Sequence, residues 1–141
     1  MSTIEIEEKN LLAAAEKARE AAHAPYSRFR VGAALLTKEG KVFTGCNVEN
    51  AAFSVTNCAE RTAVFAAVAA GYQEFKAIAV SSDSEEFTSP CGACRQVLVE
   101  FNPDMQVIMG NAKGDYITRT AAGLLPLYFN SRSLSTERGG K

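Results

Sequence analysis

Thr88-Ser89-Pro90-Cys91-Gly92-Ala93-Cys94-Arg95 places two cysteines three residues apart behind a proline. Such a pair can serve as a redox couple, as a disulfide, or as half of a metal site. With Cys46 and Cys58 the chain has four cysteines, enough for two disulfides. That framework belongs to small secreted domains with little core. Here 141 residues, 47% of them hydrophobic, suffice to bury one core, and no charged leader followed by an apolar stretch opens the chain. Reduced thiols in a soluble, cytoplasmic protein are the expectation.

Outward from the cysteine pair, residues 92–101 read as a helix that stops before Pro103. Both cysteines therefore stand at a helix start, where free backbone NH groups and the helix dipole favour thiolate over thiol. Residues 75–82, around Ala77-Ile78-Ala79-Val80, read as a buried strand, and residues 106–109 as another, closed by Gly110-Asn111. Residues 58–70 are rich in helix formers and end at Gly71. Residues 31–37 and 41–48 flank Lys38-Glu39-Gly40 as a hairpin. Residues 7–24 carry Leu11, Leu12, Ala15, Ala18 and Ala22 at helical spacing before Pro25.

The order helix, hairpin, helix, strand, helix, strand predicts a single α/β domain over residues 1–141. Its three layers are α/β/α, with a mixed sheet built from an N-terminal antiparallel hairpin followed by βαβ units. Lys113-Gly114-Asp115 reads as a turn, and the polar stretch after about residue 131 as a flexible tail.

A thioredoxin-like redox pair follows the first strand of its unit, whereas this pair comes late, behind a hairpin and a complete helix. Cys58 opens another helix, with Glu60 on the same turn. A third thiolate beside a carboxylate suits a metal better than a redox couple. Three thiolates suit zinc and leave its fourth position to water, and a carboxylate held off the metal can then carry protons in a hydrolysis. Glu60 has that place. Three thiolates on Zn(II) sum to a charge of −1, which opposes ionisation of the water, so a nearby cation should help; Arg61 and Arg95 are the candidates. The competing readings make Glu60 a plain first-turn carboxylate and the cysteines a structural zinc or thiol-redox module. A structural site would need a fourth protein ligand. Cys46 reads as a small buried residue near a strand end, and His23 as a cap or surface residue.

The formal charge of −1, from 15 basic and 16 acidic residues, gives no electrostatic reason to expect nucleic acid or an anionic membrane as partner. The apolar runs fall far short of the roughly 20 residues that span a bilayer. A small, uncharged partner fits better.

With Cys58-Ala59-Glu60 and Pro90-Cys91-Gly92-Ala93-Cys94 together, the sequence resembles the cytidine deaminases of the small, three-cysteine, homotetrameric kind. The likeness runs from the first helix to Phe129. It includes YSRFRVGAAL (26–35), GCNVENAAF (45–53), NCAERTAVFAAV (57–68) and LLPLYF (124–129). The resemblance implies zinc-dependent hydrolysis of cytidine and deoxycytidine to uridine and deoxyuridine, with release of ammonia, in pyrimidine salvage. It implies one Zn(II) per chain on Cys58, Cys91 and Cys94, proton transfer by Glu60, and hydrogen bonds from Arg61 to the thiolates. For the substrate it implies Asn47 and Glu49 on the ribose 3'-hydroxyl, Phe29 beside the base, and the Ala59 NH on the base carbonyl. Ala51, Phe53 and Phe129 are assigned to a neighbouring chain's pocket in the homotetramer. Family members often carry tyrosine where this chain has Phe53, so a hydroxyl that can reach the nucleoside 5'-hydroxyl is absent here. Blasticidin deaminases share both cysteine motifs, but the intact NVENAAF loop favours plain nucleosides. Editing deaminases of RNA and DNA use the same chemistry, and the charge of −1 argues against such polyanions.

Overall fold

Leu11, Leu12 and Ala15 form the buried face of helix α1 (Thr3–Arg19) in the computed structural model, which describes residues 2–134. The helix starts four residues earlier than its apolar spacing predicts because a capping box holds it. The Ser2 hydroxyl accepts from the Glu5 NH, and the Glu5 carboxylate accepts from the Ser2 NH. It also ends earlier: Ala21 and Ala22 donate to the carbonyls of Ala18 and Arg19, tightened turns that carry the apolar spacing past the helix proper.

Five strands form one sheet: β1 (Val31–Thr37), β2 (Val42–Cys46), β3 (Phe75–Ser82), β4 (Gln106–Gly110) and β5 (Tyr116–Thr120). Their order is β2-β1-β3-β4-β5. β1 and β2 pair as the expected antiparallel hairpin, with Gly40 at φ 97°, a value that favours glycine. β3 lies antiparallel to β1 and parallel to β4, so the sheet is mixed. Helices α2 (Ala59–Ala69) and α3 (Gly92–Phe101) connect β2 to β3 and β3 to β4, in each case between strands running the same way. These are the βαβ connections that the element order implies.

β5 was not expected. Asn111 turns the chain by accepting from the Lys113 and Asp115 NH groups at 2.9 and 3.0 Å, with Gly114 at φ 89°, and β5 then pairs antiparallel with β4. Two short helices follow, α4 (Ala121–Leu124), capped by the Thr120 hydroxyl, and α5 (Ser131–Leu134) on the surface. The rest of the expected tail, after residue 134, lies outside the described residues.

The two faces of the sheet are covered separately. Ala34, Ala77, Ala79 and Ile108 pack against α1, whereas Ala33, Leu35, Ile78, Val107 and Met109 pack with Ala63 and Val64 of α2 and Leu98 of α3. Successive residues thus serve opposite cores, which is why these strands read as continuous apolar runs. Gly45 on β2 sets the position of α2. A Cβ there would stand 2.5 Å from the Ala63 nitrogen and 2.6 Å from the Ala59 oxygen, so only glycine lets the first turns of α2 rest on the strand. Among the described residues, no helix is long and apolar enough to cross a membrane.

Candidate active site

Cys58 and Cys91 are the N-cap residues of α2 and α3, both with extended backbone (φ −76°, ψ 156° and φ −69°, ψ 171°), and neither makes a side-chain cap hydrogen bond. Their thiols are therefore free for other partners. Two helix starts converge here, and the Sγ atoms of Cys58, Cys91 and Cys94 all lie within 4.8 Å of one another. Cys94 is buried, Cys58 half-buried and Cys91 exposed, so the cluster opens toward solvent on one side.

The donor set fits zinc. Thiolates arranged tetrahedrally around an ion at about 2.3 Å stand about 3.8 Å apart, and Cys58 and Cys91 are 3.8 Å apart. Without a cation, three thiols this close cannot all ionise. A hydrogen bond from Cys94 first, then those from Arg61 and Cys91, draw Cys58 down to about 5, while Cys94, donating to Cys58 and buried, is pushed far up. A divalent ion bound there would hold all three as thiolates.

Arg61, in the first turn of α2, donates from Nη2 to Cys58 Sγ at 3.3 Å. That hydrogen bond, a further one to Cys94 and the charge of Cys58 hold its guanidinium firmly protonated. Its Nε is buried without a hydrogen-bond partner among the described residues, which leaves the cysteine sulfurs as the main compensation for its charge. Arg95, the other candidate cation, donates instead to Pro90, Leu124 and Ser89. The structure thus gives the two candidate arginines different partners, a thiol for Arg61 and backbone and hydroxyl oxygens for Arg95.

Glu60 follows on the same turn of α2 and is only 5% exposed. Burial is the main force raising its carboxyl to about 7, and the Cys58 charge adds to it, against its own backbone NH and Arg61. A carboxyl poised near neutrality can both take and give a proton at working pH.

The residues expected at the substrate gather in a neighbouring loop cluster. Val48 and Asn57 exchange backbone hydrogen bonds at 2.9 and 3.0 Å, which ties the 47–57 loop to the residue before Cys58. Asn47 is buried; its amide accepts from the Val31 NH at 2.9 Å and donates to the Phe29 carbonyl at 2.8 Å. The half-buried Glu49 accepts from the Tyr26 and Ser27 NH groups at 2.9 and 3.1 Å and from the Ser27 hydroxyl, which lowers its pKa. Both side chains thus brace the loop that presents Phe29. Sequence reasoning missed Tyr26, Ser27 and Thr56, which line a cavity of about 380 Å³ with Glu49 and Phe53. Ser27 also accepts from the Phe29 NH at 3.0 Å. A serine two residues before an aromatic is a signal for such a turn.

Ala59, the first residue of α2, is buried. Ala51, Phe53 and Phe129 are exposed; Phe53 meets Tyr26 edge to face at 5.9 Å, and the Phe129 carbonyl accepts from Gln96 Nε2 at 2.8 Å. These three side chains stand on the surface, away from the buried core.

Three convergent thiols and one buried carboxyl at paired helix starts, on a mixed sheet, define the class of zinc-dependent hydrolytic deaminases. The chain belongs to the family described as the cytidine and deoxycytidylate deaminase zinc-binding region, which matches residues 5–111. It is 55% identical over 128 residues to a cytidine deaminase of Sporosarcina psychrophila, covering 90% of this chain and 94% of that protein. A cytidine deaminase of Halalkalibacterium halodurans is 49% identical over 126 residues, covering 89% and 96%. The crystal structure of cytidine deaminase from Burkholderia pseudomallei superposes with a TM-score of 0.84 at 52% identity, over 92% of this chain and all of that one. That from Mycobacterium tuberculosis gives 0.76 at 36% identity, over 92% and 98%.

Proposed function

We propose that this protein hydrolyses cytidine and deoxycytidine to uridine and deoxyuridine, releasing ammonia. The single observation that carries this reading is the buried Glu60 carboxyl in the first turn of α2, close in the chain to a three-thiol cluster. Relatives named cytidine deaminase, at 55% and 49% identity over most of both chains, support it.

Cys58, Cys91 and Cys94 would hold the zinc, one ion per chain. When bound, zinc supplies the Lewis acidity that ionises a water near neutral pH. Glu60 would take one proton of the attacking water and pass it to ring N3 as the C4–O bond forms. The second proton follows through Glu60 to the amine, the C4–N bond breaks, ammonia leaves and the C4 carbonyl remains. Arg61, donating to Cys58 Sγ, offsets the thiolate charge that would otherwise oppose ionisation of the water. The Ala59 NH, which has no partner within α2 at its first position, is available to the base carbonyl. Asn47 and Glu49 are assigned to the ribose 3'-hydroxyl and Phe29 to the face of the base. Ammonia release from cytidine, deoxycytidine and blasticidin S by zinc-quantified protein tests the reading. Turnover of the two nucleosides is expected; turnover of blasticidin alone would overturn it.

We further infer a homotetramer in the cytoplasm, in which Ala51, Phe53 and Phe129 enter a neighbour's pocket. Its support is apolar surface: Phe53 is 73% exposed, Phe129 57% and Leu127 fully exposed. Light scattering should give four times the chain mass, and a fully active monomer would contradict it.

Phe53 bears on specificity. Lacking a hydroxyl for the 5' end, the wild type should process 5'-deoxycytidine nearly as well as cytidine. Phe53→Tyr should then favour cytidine by about 1 kcal/mol, or about fivefold in kcat/KM, the net value of a neutral hydrogen bond. An unchanged ratio would remove Phe53 from the 5' end.

A further inference from the structure

Arg95 follows the last cysteine of the cluster, and the mechanism above makes no use of it. Its guanidinium donates to three acceptors on two pieces of chain, Ser89-Pro90 and Leu124. Nε donates to the Pro90 carbonyl at 2.8 Å, Nη2 to the Ser89 hydroxyl at 2.5 Å, and Nη1 to the Leu124 carbonyl at 2.7 Å. The Pro90 carbonyl belongs to the peptide bond that leads into Cys91, so a donor on that oxygen fixes the plane from which Cys91 departs. Residues 83–91 contain neither helix nor strand. Cys91 is the exposed member of the cluster and precedes the first turn of α3, whereas buried Cys94 lies within that helix. Of the two, Cys91 depends more on contacts outside its own element.

We propose that Arg95 is a positioning residue for the zinc site: its fork locks the Ser89-Pro90 turn against α3 and Leu124, and so keeps Cys91 in place to hold the metal. The inference rests on the three-thiolate reading of the site. Arginine suits the task because its planar fork offers donors in a fixed arrangement, whereas a lysine ammonium is a single point on a flexible stem. Neighbouring Gln96 provides the contrast. Among the described residues its amide donates to the Phe129 carbonyl, at 2.8 Å, and to neither Ser89 nor Pro90.

The test is the rate at which zinc-loaded protein releases zinc to an excess of chromogenic chelator, well below the unfolding temperature. Arg95→Met is expected to release zinc about 10- to 100-fold faster than wild type, the usual cost of losing support around a metal ligand. Arg95→Lys, whose single nitrogen cannot span the separated acceptors as the guanidinium fork does, should also release it faster, and Gln96→Ala at the wild-type rate. Thermal unfolding of the zinc-free forms is measured in parallel, because a merely structural arginine would lower the midpoint without changing release from the folded state. If Arg95→Met does not fold, Arg95→Lys and Ser89→Ala, each expected to speed release, carry the test. Wild-type release from the folded Arg95 variants, or equal acceleration in Gln96→Ala, overturns the proposal. A wild-type protein that binds no zinc would overturn the site reading itself.

Discussion

Glu60→Gln is expected to fold, keep its zinc and lose deamination by about 100- to 10,000-fold in kcat, the range that a positioned acid-base group contributes. The amide has the shape of the carboxyl but cannot accept a proton from water or carry one to the amine. Metal retention follows because Glu60 is not one of the three clustered thiols. The fold is expected to tolerate the change. Burial already drives this carboxyl toward its neutral form, up to about 7, so an uncharged group suits the site. Steady-state turnover with metal content from the same preparation checks the result, and wild-type turnover would place the proton carrier elsewhere.

The second large effect is expected from Cys94→Ala. Cys94 is wholly buried in the first turn of α3, and a neutral water in its place could not supply the charge of a thiolate ligand. The variant should lose zinc during dialysis against a chelator, and cytidine turnover should fall to background. Metal analysis before and after dialysis decides it; retained zinc with retained turnover would remove Cys94 from the site.

How much of this was legible in the sequence depended on how local the causes are. The bounds of β1, β3 and α3 match the sequence reading because uninterrupted apolar runs and a proline stop encode them within a few residues. The thiol cluster was legible for the same reason, since Cys58 and Cys91 each mark a helix start. β5 was not: Tyr116-Ile117-Thr118-Arg119-Thr120 is mixed in polarity and becomes a strand by pairing with β4. The start of α1 hid in a capping box, Ser2 with Glu5, that apolar spacing does not register. The partners of Arg95 could not be read either, because Leu124 lies 29 residues beyond it and only the fold brings it within reach. Nor could the bracing by Asn47 and Glu49 be read, since their partners lie 16 to 23 residues upstream.

The most direct measurement of the central claim, zinc-dependent deamination on Cys58, Cys91 and Cys94, is cytidine turnover as zinc is stripped and then restored in the wild-type protein. Ammonia release should fall to background in the stripped protein and return in proportion to added zinc, levelling at one ion per chain. Full turnover in metal-free protein would contradict the three-thiolate site as the seat of the reaction.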